Sequence, residues 1–168
     1  KDSRADKGAD MMIVVGARGR MDVERALEII KKHDSEAQIL NAARVCGREH
    51  LEVAYEHARR AFHEGRNKSR SIGMETMLYA STKRQIKEAI EFMGARVEGE
   101  YAFIFFNLDE KKAVEIVKEL GLEVDDKVLE PSMEKLLYFV EEQELQTVDK
   151  SFYFDLLFEK VAMVELMK

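Results

Sequence analysis

Hydrophobic positions recur with the period of a helix through most of this chain and fill only short runs in between. Val23, Ala26, Leu27 and Ile30 stand at i, i+3, i+4 and i+7, which predicts an amphipathic helix over 23–33 capped by Asp22. Leu51, Ala54, Tyr55, Ala58 and Phe62 trace a stripe on a longer helix, which follows Gly47 and ends at Gly65. Met74, Met77 and Leu78 mark a short third helix. Ile86, Ala89, Ile90 and Met93 mark a fourth, stopping at Gly94. Thr82 and Gln85 have the spacing of a capping box, so the fourth helix is expected to start afresh at Thr82. Asp109 caps a fifth helix with Ala113, Val117 and Leu120 inside, ending at Gly121. Two more follow near 133–143 and 152–167, the last with Phe154, Leu157, Phe158 and Val161 on one face.

The runs between helices read as strands. MMIVVGARG at 11–19 is β-branched and is expected to close in a glycine turn, and AQILN at 37–41 is short and apolar. YAFIFF at 101–106 is apolar on both faces, the mark of a central, covered strand. VLEPS at 128–132 suits an edge strand, because Pro131 cannot donate to a ladder. The strands are not spaced for regular βαβ units. The expected class is therefore α+β, with a single globular domain over 11–168 and a small mixed or antiparallel sheet under about seven helices.

At 168 residues and 46% hydrophobic content the chain suits one core, and 36% charged residues give a well-solvated surface. No apolar run approaches the roughly 20 residues of a membrane span. The first ten residues, KDSRADKGAD, are polar and small, and are expected to be a disordered extension with Met11 or Met12 as a natural start. The single cysteine, Cys46, rules out an internal disulfide and fits a reducing cytoplasm. Abundant Glu, Lys and Arg with few Asn and Gln point toward an archaeal thermophile. The net charge of −6 argues against a generic nucleic-acid coat protein, but it averages over an asymmetry. Residues 44–70 carry Arg44, Arg48, Arg59, Arg60, Arg66, Lys68 and Arg70, whereas 109–150 is strongly acidic. Such a basic region can bind RNA locally, or its arginines can simply solvate a helix face.

The stretch NKSRSIGMETMLYASTKRQIKEAIEFMG at 67–94 is hardest to explain by packing alone. Asn67, Lys68, Ser69, Arg70, Ser71, Thr82, Lys83, Arg84 and Gln85 gather donors at helix ends, where phosphates and polar ligands dock. Glu75 stands beside this loop among Met74, Met77 and Leu78. A structural role is expected for it, accepting hydrogen bonds from the loop backbone or from Arg84. Other candidate chemistry is thinner. Gly16-Ala17-Arg18-Gly19-Arg20 matches no phosphate-loop pattern, so a turn with two surface arginines is expected, and an anion or nucleotide site there is the alternative. His33, His50, His57 and His63 include no pair at i, i+4, and no metal or cofactor site is expected. Cys46 with His50 lacks a third, orienting group for nucleophilic catalysis. Phe152, Tyr153, Phe154 and Phe158 crowd the last helix around much of its girth, which fits either a partner surface or a helix buried on two sides.

The segment QILNAARVCGREHLEVAYEHARRAF, with NKSRSIGMETMLYASTKRQIKEAIEFMGA after it, resembles the small kinase-binding subunit of the KEOPS complex. This is the archaeal relative of the protein that binds the p53-related protein kinase. The similarity continues through the Asp125–Glu130 run and the stretch from Glu159 to Leu166, and covers essentially everything from residue 11 onward. No single motif is diagnostic; the ordered set carries the resemblance. It implies a non-enzymatic subunit of a complex that makes threonylcarbamoyladenosine at position 37 of tRNAs. Such a subunit binds and stimulates an atypical kinase/ATPase and recruits tRNA through its 3′-CCA end, while a separate subunit transfers the threonylcarbamoyl group. A single-stranded tail needs cations for its backbone and amides or hydroxyls for its base edges. Asn67, Lys68, Ser69, Arg70, Lys83, Arg84 and Gln85 supply that set, with Arg59, Arg60 and Arg66 for acceptor-stem phosphates. Leu157, Val161 and Val164 are the expected kinase interface. An interaction module without an RNA role remains the other reading.

Overall fold

The computed structural model describes residues 11–168; the polar first ten residues lie outside the described part. Four antiparallel strands form one sheet in the order β2-β3-β1-β4: β1 (Ile13–Arg20), β2 (Gln38–Asn41), β3 (Glu98–Phe105) and β4 (Glu123–Val124). β1 and β3 pair along their whole length, from Ile13 opposite Phe105 to Arg20 opposite Glu98. β3 is interior, as its two-sided apolar sequence requires: Tyr101, Ala102, Phe103, Ile104 and Phe105 have no exposed surface.

Alternation along the strands divides the interior in two. Val15, Ala17, Tyr101, Phe103 and Phe105 point to a smaller core shared with α1 (Val23–His33), which supplies Ala26 and Ile30, and α5 (Glu110–Glu119), which supplies Ala113, Ile116 and Val117. Val14, Ala102 and Ile104 point the other way, into a larger core. There they meet α2 (Arg48–His63), α3 (Ile72–Ser81), α4 (Ile86–Met93), α6 (Met133–Leu136), α7 (Glu142–Leu145) and α8 (Tyr153–Met167). These are eight α-helices among the described residues, in a single α+β domain.

α3 sits at the centre of the helical layer. Gly73 and every residue from Glu75 to Ser81 are buried, consistent with a helix apolar nearly all round. Its first turn can approach β2 only because residue 73 has no side chain. A Cβ there would lie 2.1 Å from the Glu36 carbonyl oxygen.

Four sequence expectations are corrected. β1 does not close in a turn but continues through Gly19 to Arg20, held by its pairing with β3. The segment expected as an edge strand at 128–132 instead begins in a 3-10 turn, Asp126–Leu129. Asp125 caps that turn, and Val128 and Leu129 are buried by it. The edge strand is the shorter β4 just before it. The helix expected over 133–143 splits into α6 and α7, because Glu141 and Glu144 form a capping box that starts the second turn. Thr82 does not cap α4. It lies past the end of α3 in the left-handed region (φ 62°), and extended Gln85 precedes α4 without a side-chain cap bond.

Candidate functional site

Glu75 organises the 67–70 loop. Its carboxylate is fully buried. It accepts hydrogen bonds from the backbone N–H of Lys68 (3.0 Å) and of Ser69 (2.9 Å). The Ser69 hydroxyl lies 2.9 Å from both this carboxylate and the Ser71 carbonyl. Asn67 donates its amide to the Ser69 carbonyl at 2.8 Å, and the Ser71 hydroxyl accepts from the Met74 N–H at the start of α3. The expected link from Arg84 does not form. The cation on Glu75 is Lys168, at the C-cap of α8, whose ammonium also sits 4.5 Å from the centre of the Tyr79 ring. Both charged side chains are nearly sealed from solvent, Lys168 at 3% exposure and Glu75 at 0%. A buried carboxylate with a cation and two N–H donors is a satisfied group, so the loop takes one shape.

From that fixed loop the side chains of Lys68 and Arg70 point to solvent. The Lys68 ammonium donates to the Arg84 carbonyl at 3.5 Å, which brings the 67–70 loop against the 83–85 loop. Arg84 and Gln85 are exposed there, and neither Arg70 nor Arg84 forms an ion pair among the described residues. Beyond them Lys83 holds its ammonium 4.6 Å from the centre of the Phe92 ring. Arg44 shares that ring at 4.5 Å, lies 4.2 Å from the Tyr138 ring, and donates to the Phe92 carbonyl at 3.1 Å. Lys83, Arg44 and Arg96 line a groove of about 480 Å³ together with Phe92, Glu88 and Glu91. The result is a ridge bearing Arg70, Lys68, Arg84 and Lys83 and leading to Arg44 and Arg96, with Glu88 and Glu91 among the cations of its second half. Its second half was missed as a site. Arg44, Phe92, Arg96 and Tyr138 are scattered in the sequence, and only the basic count of 44–70 touched one of them.

The remaining expected cations are engaged elsewhere. Arg59 bonds Glu56 at 2.8 Å, and Arg60 lies 3.4 Å from the His57 ring nitrogen. Arg66 bonds Glu64 and Glu165, and those hydrogen bonds push its guanidinium pKa up. Burial works to raise the Glu165 carboxyl, but hydrogen bonds from Arg66 and His57 outweigh it and hold the carboxyl low. Arg66 thus lies beside α8 through Glu165, Arg60 beside His57, and Arg59 lines a separate pocket with Glu36, Tyr55 and Phe106, all of them off the ridge.

Chemistry of the nucleophilic kind finds no support in the buried pair. Burial pushes the Cys46 thiol up to about 12, against reactivity. His50 is lowered to about 4 by burial. Its Nδ1 accepts from the Cys46 N–H and its Nε2–H donates to the Ala80 carbonyl, both at 2.9 Å, so it is a neutral rivet. The Gly16–Arg20 alternative also fails as an anion site: Gly16 donates its N–H to Asp126, Arg18 pairs with Asp125, and Arg20 pairs with Glu98. Among the described residues no three His, Cys, Asp or Glu side chains gather as a metal site, and no helix is long and apolar enough to cross a membrane.

The residues expected at the kinase interface are buried. Leu157, Val161 and Val164 have no exposed surface and face α2 and α3, because one stripe of α8 completes the larger core. The opposite face of α8 carries exposed apolar surface, Met163 at 50%, Leu166 at 79% and Met167 at 42% exposure, with Phe152 at 54% in the turn just before the helix.

Residues 21–155 match the family described as kinase binding protein CGI-121. The chain is also 31% identical over 161 residues to a protein of Methanocaldococcus jannaschii described as regulatory protein Cgi121, covering 94% of this chain and 99% of that protein. The family match takes in β2, β3, β4, α3 and the 67–85 segment. This chain belongs to the CGI-121 family of kinase-binding regulatory proteins.

Proposed function

We propose that the protein is a non-catalytic subunit of the KEOPS complex, working in the cytoplasm, that binds and stimulates the kinase/ATPase subunit and recruits tRNA by its 3′-CCA end. It would thereby deliver tRNA, through the kinase, to the subunit that transfers threonylcarbamoyl to the adenosine at position 37. The observation that carries the RNA reading is the cation ridge on an otherwise acidic protein, with net charge −6. Lys68, Arg70, Lys83 and Arg84 offer cations for the phosphates of a single strand, while Gln85 and Asn67 offer amides to base edges. Ser69 and Glu75 serve by holding the loop, not by touching RNA.

The experiment is binding of one tRNA with and without its 3′-CCA across a salt series. Tail recognition predicts loss of binding on trimming and a negative slope of log affinity against log salt, near −0.7 for each single-stranded phosphate contact. Binding indifferent to the tail would remove this reading and leave an interaction module. For the kinase, the exposed face of α8 replaces the buried one. An apolar stripe of this size on a kinase-binding family member is suited to a lobe surface. Leu166→Asp is expected to weaken kinase binding about tenfold or more without a change in folding, as truncation of a central interface residue does.

A further inference from the structure

We infer that Lys168 is a positioning residue that makes RNA binding on the ridge and partner binding on α8 thermodynamically linked. The inference rests on the proposed function and concerns its regulation. The physical path is short and buried. Lys168 at the C-cap of α8 is salt-bridged to Glu75, and the same carboxylate holds the N–H groups of Lys68 and Ser69. A second tie runs alongside, from Glu165 on α8 to Arg66, one residue before Asn67. The loop that presents Lys68 and Arg70 is therefore tied to the last turn of α8 as well as to α3.

Helix ends open more readily than helix centres. The last turn of α8 is also where the exposed apolar residues Leu166 and Met167 stand, with Met163 just before it. A partner covering them suppresses fraying, keeps Lys168 on Glu75, and keeps the loop in the shape that presents its cations. RNA then binds a loop already ordered, with a smaller entropic penalty. Linkage is reciprocal, so RNA on the ridge tightens partner binding by the same factor.

The test uses the full chain, its cognate kinase and a tRNA with an intact 3′-CCA, with three proteins: native, Lys168→Met, and the double variant Glu75→Gln/Lys168→Met. Methionine keeps the packing on Tyr79 and removes the charge, and glutamine keeps an acceptor for the loop once the lysine is gone. In the native protein the kinase is expected to raise tRNA affinity and to slow amide exchange at Lys68 and Ser69. Lys168→Met is expected to lower tRNA affinity about tenfold, the factor set by ordering about one residue of loop backbone, and to abolish both effects of the kinase. The double variant is expected to recover tRNA affinity but not its response to kinase. That split is one which general destabilisation does not produce. A folded Lys168→Met protein in which kinase still slows exchange at Lys68 and Ser69 as in the native chain overturns the inference. So does native exchange that ignores the kinase. The exchange readout needs no RNA, so a native protein that fails to bind tRNA counts against the proposed function and leaves the linkage to be judged separately.

Discussion

The two ends of α3 each bury a polar side chain, and they do so for opposite purposes. Near its C-terminal end His50 is neutral and bonded on both sides to backbone, the Cys46 N–H and the Ala80 carbonyl. Near its N-terminal end Glu75 pairs with Lys168 and grips a surface loop. The first arrangement joins elements that are already packed. The second joins the loop that bears Lys68 and Arg70 to the last turn of α8, the two parts proposed to face partners. A neutral group bonded to backbone costs little to bury, whereas a buried ion pair is weak evidence for stability and is better understood by what it positions. The comparison therefore assigns stability to the His50 end and recognition to the Glu75 end.

The largest expected effect tests whether the Glu75 end is also structural. Glu75→Ala leaves Lys168 buried without its partner and should cost about 4 kcal/mol in urea unfolding. A loss below about 1 kcal/mol would show the pair to be dispensable and weaken the contrast. At the other end the prediction is a pH dependence. An unfolded chain protonates His50 near its ordinary 6.5, while the folded chain resists down to about 4. The folded state thus binds fewer protons between those values. Its stability is intact above pH 6.5 and falls as pH drops through 6.5 toward 4, by about 3 kcal/mol in all. Unfolding midpoints at pH 7 and pH 4.5 measure this, and His50→Gln should flatten the difference.

Smaller effects separate the ridge from the engaged arginines. Arg84→Ala should leave unfolding unchanged within about 0.5 kcal/mol, yet flatten the salt slope for tRNA by about 0.7. Arg44→Ala should weaken tRNA binding similarly and is a sharper probe, since it lies on the half of the ridge that only folding assembles. The smallest change is expected from Arg59→Ala. Arg59 is bonded to Glu56 within its own helix, and an equal loss of tRNA affinity there would erase the distinction between ridge and flank.

Periodicity made α1, α2, α4 and α5 legible, because each shows polar and apolar faces in its own residues. β3 was legible for the opposite reason, being apolar on both faces from Tyr101 to Phe105. The errors fell where local chemistry competes with periodicity: the left-handed Thr82, the 3-10 turn after Asp125, and the capping box that splits 133–143. α8 shows a different limit. Its apolar residues surround the helix, so the sequence marks it as doubly committed without saying which stripe is core; Leu157, Val161 and Val164 proved to be inside.

By itself the sequence determined the class, the central strand, the donor-rich loop and the presence of a carboxylate beside it. These are properties of neighbouring residues and of short-range spacing. Only the tertiary structure decided which cations are free, that Arg44 and Arg96 extend the ridge, and that Lys168 rather than Arg84 neutralises Glu75. Those outcomes depend on contacts between residues far apart in the chain, 93 positions in the Glu75–Lys168 pair, where charge and burial select partners that no local pattern records.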